Sequence, residues 1–74
     1  MREAKRHREL KKSIADKIRA MREARFFTQG ELAKLAKLSQ STTAQVETGR
    51  KEPSTETLFK IAAALDAPPA FFLS

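Results

Sequence analysis

The chain has 74 residues, no cysteine and a formal net charge of +6. Its length allows one small domain with a modest core, and the lack of cysteine excludes disulfides and thiolate metal sites and fits a reducing, cytoplasmic compartment. The charge favours a polyanionic partner, while no apolar run reaches the roughly 18 residues that span a membrane and no apolar segment follows the basic N-terminus as in a signal peptide.

Residues 1–12 form a basic N-terminal extension, with Arg2, Lys5, Arg6, Arg8, Lys11 and Lys12 set among Glu3 and Glu9. Nothing in it breaks a helix, and Leu10, Ile14, Ile18 and Met21 lie on one apolar stripe. Two readings stand side by side. The first helix runs unbroken from near Arg2 to Arg25, or Ser13 caps it, with Asp16 completing a capping box, and the extension frays. The extension is either an arm that follows phosphates or enters a minor groove or a solvated charge run.

The domain proper, residues 13–74, opens with a helix whose buried face is Ile14, Ile18 and Met21. Phe26 and Phe27 end it. Core packing suits both rings better than base stacking, and Phe27 precedes a cap, where it can act as a hydrophobic staple. That cap is Thr28, which forms a capping box with Glu31. The second helix carries an apolar stripe of Leu32, Leu35 and Ala36, with the small Ala33 beside it.

Ser39 caps a third helix, unusually polar, and Gly49 ends it where a C′ glycine belongs. With Thr43 and Val46 facing inward, a rotation of about 100° per residue turns Ser41, Gln45 and Thr48 outward, with Ala44 on their flank and Gln40 at the N-terminal tip. A merely solvated face would carry Lys and Glu. Short uncharged groups instead suit base edges in a major groove, where Gln pairs bidentately with adenine and Ala touches a thymine methyl. Arg50 and Lys51 make the next loop basic, and Pro53 leads to the Ser54 cap of a fourth helix. Glu56 suits that helix's positive end, and Leu58, Ile61, Ala62 and Leu65 face inward. Asp66 ends it, Pro68 and Pro69 prevent continuation, and an aromatic segment, Ala70 to Leu73, follows.

The order Thr28-Gln29, Glu31-Leu32-Ala33, Leu38-Ser39, Val46-Glu47, Gly49 and Pro53-Ser54, then Leu58, Ile61-Ala62 and Leu65, resembles the phage-repressor and Cro (xenobiotic-response-element-like, XRE) helix-turn-helix family. The resemblance covers about residues 14–73 and implies an all-α bundle of about five short helices, the second and third forming the helix-turn-helix. It implies sequence-specific binding to double-stranded DNA by a repressor or autoregulator acting as a homodimer on a pseudo-palindrome. Gln40, Ser41, Ala44 and Gln45 are then the base readers. Thr28 and Gln29, at a helix N-terminus, together with Lys34, Thr42, Thr48, Arg50 and Lys51, meet phosphates. The resemblance also implies an Arg22–Glu47 ion pair and a core position for Phe72, leaving Phe71 and Leu73 for a dimer contact. Two positions depart from the family pattern. Lys37 stands where the turn has glycine, at a cost of roughly 1–2 kcal/mol, and Thr43 stands where Ile or Val is usual, its hydroxyl able to bond a carbonyl one turn back.

The alternative is an antitoxin-type module that binds a toxin and represses its own promoter. An enzyme is not expected. His7 is the only histidine, a His7–Ser13–Asp16 grouping has no pocket to hold it, and Gly30 and Gly49 make no phosphate loop. One histidine and scattered carboxylates leave no metal site, and no cofactor is implied.

Overall fold

The computed structural model describes residues 2–73, with side chains from Ser13 onward. Five helices follow one another: α1 (Arg2–Ala24), α2 (Gln29–Ala36), α3 (Gln40–Glu47), α4 (Thr55–Ala64) and α5 (Ala70–Leu73). The fold is all-α, as the sequence implies, but α1 is not short at 23 residues. It runs through Ser13 without a break. The Ser13–Asp16 capping box therefore does not form, and the Asp16 carboxylate accepts from the Arg19 guanidinium at 2.9 Å. The side chains of the basic extension, including Leu10 and His7, lie outside the described residues.

The N-terminal caps follow from residue chemistry. Thr28 N–H donates to Glu31 Oε1 at 2.8 Å, and Glu31 N–H donates to Thr28 Oγ1 at 3.0 Å. This reciprocal pair satisfies two donors that a helix start otherwise leaves open. The Ser39 and Ser54 hydroxyls accept from the N–H groups of Thr42 and Thr57 in the same way.

The C-termini share a single device. After α1, α2, α3 and α4, one residue turns left-handed: Phe26 (φ 59°), Lys37 (φ 58°), Gly49 (φ 75°) and Asp66 (φ 54°). Its N–H donates three residues back and the next N–H donates five back, as in Lys37 to Lys34 O and Leu38 to Ala33 O. This is the Schellman closure, in which the following residue is commonly apolar and folds onto the helix. Phe27, Leu38 and Ala67 do so, packing against the core. Arg50, after α3, is exposed instead.

One core unites the helices: Ile14 and Ile18 of α1, Leu32 and Ala36 of α2, Val46 of α3, Leu58, Ile61 and Ala62 of α4, then Leu65 and Phe72. Phe72 is fully buried, as the family pattern implies. Leu35 and Phe26 differ from expectation. Leu35 is 54 % exposed because the buried arc of α2 is Leu32, Ala33 and Ala36. At about 100° per residue, Leu35 falls roughly 105° from the centre of that arc. Phe26 is 92 % exposed, since the left-handed turn that sends Phe27 inward directs its neighbour to solvent. No helix among the described residues is long and apolar enough to cross a membrane.

Lysine at a left-handed position is strained relative to glycine. Lys37→Gly should therefore raise stability by about 1 kcal/mol, the relief being partly offset by glycine's greater unfolded entropy. An unchanged or lower urea midpoint would show that the turn bears no such strain.

Candidate nucleic-acid interface

The candidate interface is built on α3, a helix that supplies little hydrophobic anchorage of its own. Only Thr43, Val46 and Glu47 are buried. The Thr43 hydroxyl donates to Ser39 O at 3.1 Å, which disposes of a buried polar group. Glu47 is the more expensive one, its side chain only 1 % exposed. Arg22 of α1 meets it: Nε lies 3.0 and 2.9 Å from the two carboxylate oxygens. Another guanidinium nitrogen of Arg22 donates to Phe27 O at 2.6 Å. One side chain thus ties α1, the α1–α2 turn and the end of α3 together. The family resemblance implies the carboxylate partner but not the carbonyl, since no pattern of side chains marks a main-chain acceptor.

With that inward side fixed, the opposite face is set. Gln40, Ser41, Gln45 and Thr48 are exposed and Ala44 is half-buried. The Gln40 side chain also reaches the start of α2. A Cβ placed on Gly30 would lie 3.6 Å from Gln40 Oε1 and 3.9 Å from Thr28 Oγ1. The tip of α3 and the N-terminus of α2 are therefore adjacent. Because the capping box consumes Thr28 N–H, the N–H groups of Gln29 and Gly30 are the ones left to meet an anion.

The hydroxyls divide. Thr48 Oγ1 donates back to Ala44 O at 2.9 Å and lies 3.2 Å from Gln45 O. Its proton is spent inside the helix. Ser39 Oγ donates to Thr42 Oγ1 at 2.9 Å, which leaves the Thr42 proton available. Thr42 lines a groove between α3 and the α3–α4 loop together with Lys51, Pro53, Ser54 and Thr57. A second, shallower groove is lined by Ala44, Gln45, Thr48 and Arg50. The two loop cations thus stand on either side of the C-terminal half of α3. Lys34 does not join them. It lies on the outer face of α2 beside Phe27, Glu31 and Leu35.

Phe71 and Leu73 of α5 remain 44 % and 57 % exposed. The Phe71 ring meets Phe72 edge to face at 5.3 Å. Lys17 of α1 was not anticipated from sequence. Its ammonium donates to Phe71 O at 3.2 Å and lies 5.6 Å from the Phe71 ring centre. Its place beside Ile14 and Ile18 on the buried side of α1 was the available signal. No group of acidic, histidine or cysteine side chains among the described residues could hold a metal.

The helix-turn-helix family model matches residues 18–72. The chain belongs to the XRE-type helix-turn-helix family of DNA-binding transcriptional regulators. No curated protein matches it by sequence. Among solved structures it is similar to the restriction-modification controller protein C.AhdI from Aeromonas hydrophila, with 31 % identity over 84 % of this chain and 94 % of that one and a TM-score of 0.81. The clp gene regulator ClgR from C. glutamicum shares 33 % identity over 86 % and 83 % of the two chains, with a TM-score of 0.80. An HTH_3 family transcriptional regulator from Vibrio cholerae aligns at 30 % identity and a TM-score of 0.84, covering 89 % of this chain and 37 % of that one.

Removing one partner of a buried ion pair leaves the other charge unpaired. Arg22→Ala should cost about 3–5 kcal/mol of unfolding free energy, read from urea denaturation. A loss below about 1 kcal/mol, the range of exposed pairs, would contradict the assigned role.

Proposed function

We propose that the chain binds double-stranded DNA sequence-specifically as a homodimer, with α3 in the major groove, and acts as a repressor or autoregulator. The observation that carries this reading is the outward face of α3, uncharged and rich in short polar groups, on a helix tied down by Arg22 through Glu47. Gln40, Ser41, Ala44 and Gln45 read base edges, Gln45 pairing with adenine through its amide. Thr28, Gln29 and Thr42 meet phosphate oxygens, and Arg50 and Lys51 add charge on either side. Lys34, on the outer face of α2, contributes only to the general field.

A small domain gains specificity by pairing. Phe71 and Leu73 supply exposed apolar surface for a two-fold contact, placing two copies of α3 about one helical turn of DNA apart. A dimer occupying a promoter represses by occlusion, which requires no further surface.

Selection from a random duplex pool tests the reading. A palindromic consensus that persists as salt is raised is expected, whereas enrichment without consensus that disappears with salt would mean that the +6 charge merely binds phosphate. On the selected site, Gln45→Ala should relax preference at one base pair at a cost of about 1–3 kcal/mol. Lys51→Ala should weaken all sequences alike and lower the salt slope by about 1. A Gln45→Ala variant of full selectivity would place base reading elsewhere. Phe71→Ser with Leu73→Ser should sediment as a monomer at concentrations where the parent is a dimer, and a parent monomeric at high micromolar concentration would remove the dimer.

A further inference from the structure

The Ala44 and Thr48 wall of the groove beside the C-terminal half of α3 does not suit a phosphate, the donors of this groove being Gln45 and Arg50. The groove encloses about 120 Å³ between Ala44, Gln45, Thr48 and Arg50, and its surface is mostly carbon. A phosphate oxygen accepts hydrogen bonds and needs donors. Thr48 has none to give, because its hydroxyl proton is held by the Ala44 and Gln45 carbonyls. What remains to Thr48 is its methyl group, and Thr48 and Ala44, four residues apart, both line the groove. Gln45, between them in sequence, carries an amide at the same surface.

We infer that this groove seats the 5-methyl group of a thymine, with Ala44 and Thr48 as its apolar contacts and Gln45 on a base next to it. The inference rests on the DNA-reading assignment of α3 and moves Thr48 from the phosphate contacts to the base contacts. The major-groove edge of thymine fits this surface, because it is the one base edge that offers a methyl group beside an acceptor. Arg50 completes the lining and is exposed, able to reach the backbone or a neighbouring acceptor. The left-handed Gly49 places it there by sending Arg50 outward, where the corresponding residues after α1, α2 and α4 turn into the core.

The test replaces each thymine of the selected duplex, one at a time, with deoxyuridine. This change removes a single methyl group and leaves the pairing and the hydrogen-bonding edge intact. One thymine in each half-site should lose about fourfold in affinity on substitution, the worth of a buried methyl. Thr48→Ser keeps the internal hydroxyl bond and deletes only the side-chain methyl, so the penalty at that position should shrink towards unity while penalties elsewhere persist. If every deoxyuridine duplex binds like its parent, the groove seats no methyl, although DNA reading by α3 stands. The groove assignment also fails if a penalty appears but Thr48→Ser leaves it unchanged, because the methyl is then read by another surface. Should no consensus emerge from the random pool, the reading of α3 falls, and this inference falls with it.

Discussion

The structure depends on how one buried carboxylate is answered. Glu47 sits on the inward side of α3, where its charge would be costly without a partner. Arg22 supplies that partner and also takes the Phe27 carbonyl. The arrangement suits a helix with little else to hold it. In α3 only Val46 brings a fully apolar side chain to the core, a contribution of about 2 kcal/mol. A helix packed by a broad hydrophobic stripe would have to use its outer positions for solubility. Here eight residues can leave nearly a whole face to solvent, because a hydrogen-bonded ion pair to α1 fixes their rotation.

The helix ends carry the same logic outward. Three of the four left-handed closures bear side chains and are followed by residues that fold onto the core. The closure after α3 alone uses glycine and is followed by an exposed arginine. The fold thus repeats one backbone device and inverts its side-chain pattern after α3, where the residue that follows is an exposed cation. Leaving α3 in this way places Arg50 by the groove of Ala44 and Thr48, and Lys51 by the groove of Thr42.

Much of this was legible in the sequence, for identifiable reasons. Capping residues act locally, so Thr28, Ser39 and Ser54 mark their helices without tertiary information, and all three caps form. Thr43 and Val46 fixed the rotation of α3, and the exposed face followed from helical geometry. Burial on α2 was less legible, since Leu35 looks apolar and sits at helical spacing, yet the helix turns its small alanines inward. Phe26 was misread because two adjacent aromatics cannot both follow a left-handed turn into the core. The direction of each hydroxyl was invisible as well. Thr42 and Thr48 look alike in sequence, and only the hydrogen bonds show that one proton is available and the other spent.

The central claim is that the outer face of α3, held from behind by Arg22 and Glu47, is the surface that meets DNA. Amide chemical shifts of the ¹⁵N-labelled chain, followed as the selected duplex is added, test it most directly. The largest changes should fall on Gln29 and Gly30, on Gln40, Ser41, Ala44 and Gln45, and on Thr48, Arg50 and Lys51, with Lys34 and Leu35 little moved. Shifts confined to residues 2–12 or to α5, with α3 unaltered, would contradict it.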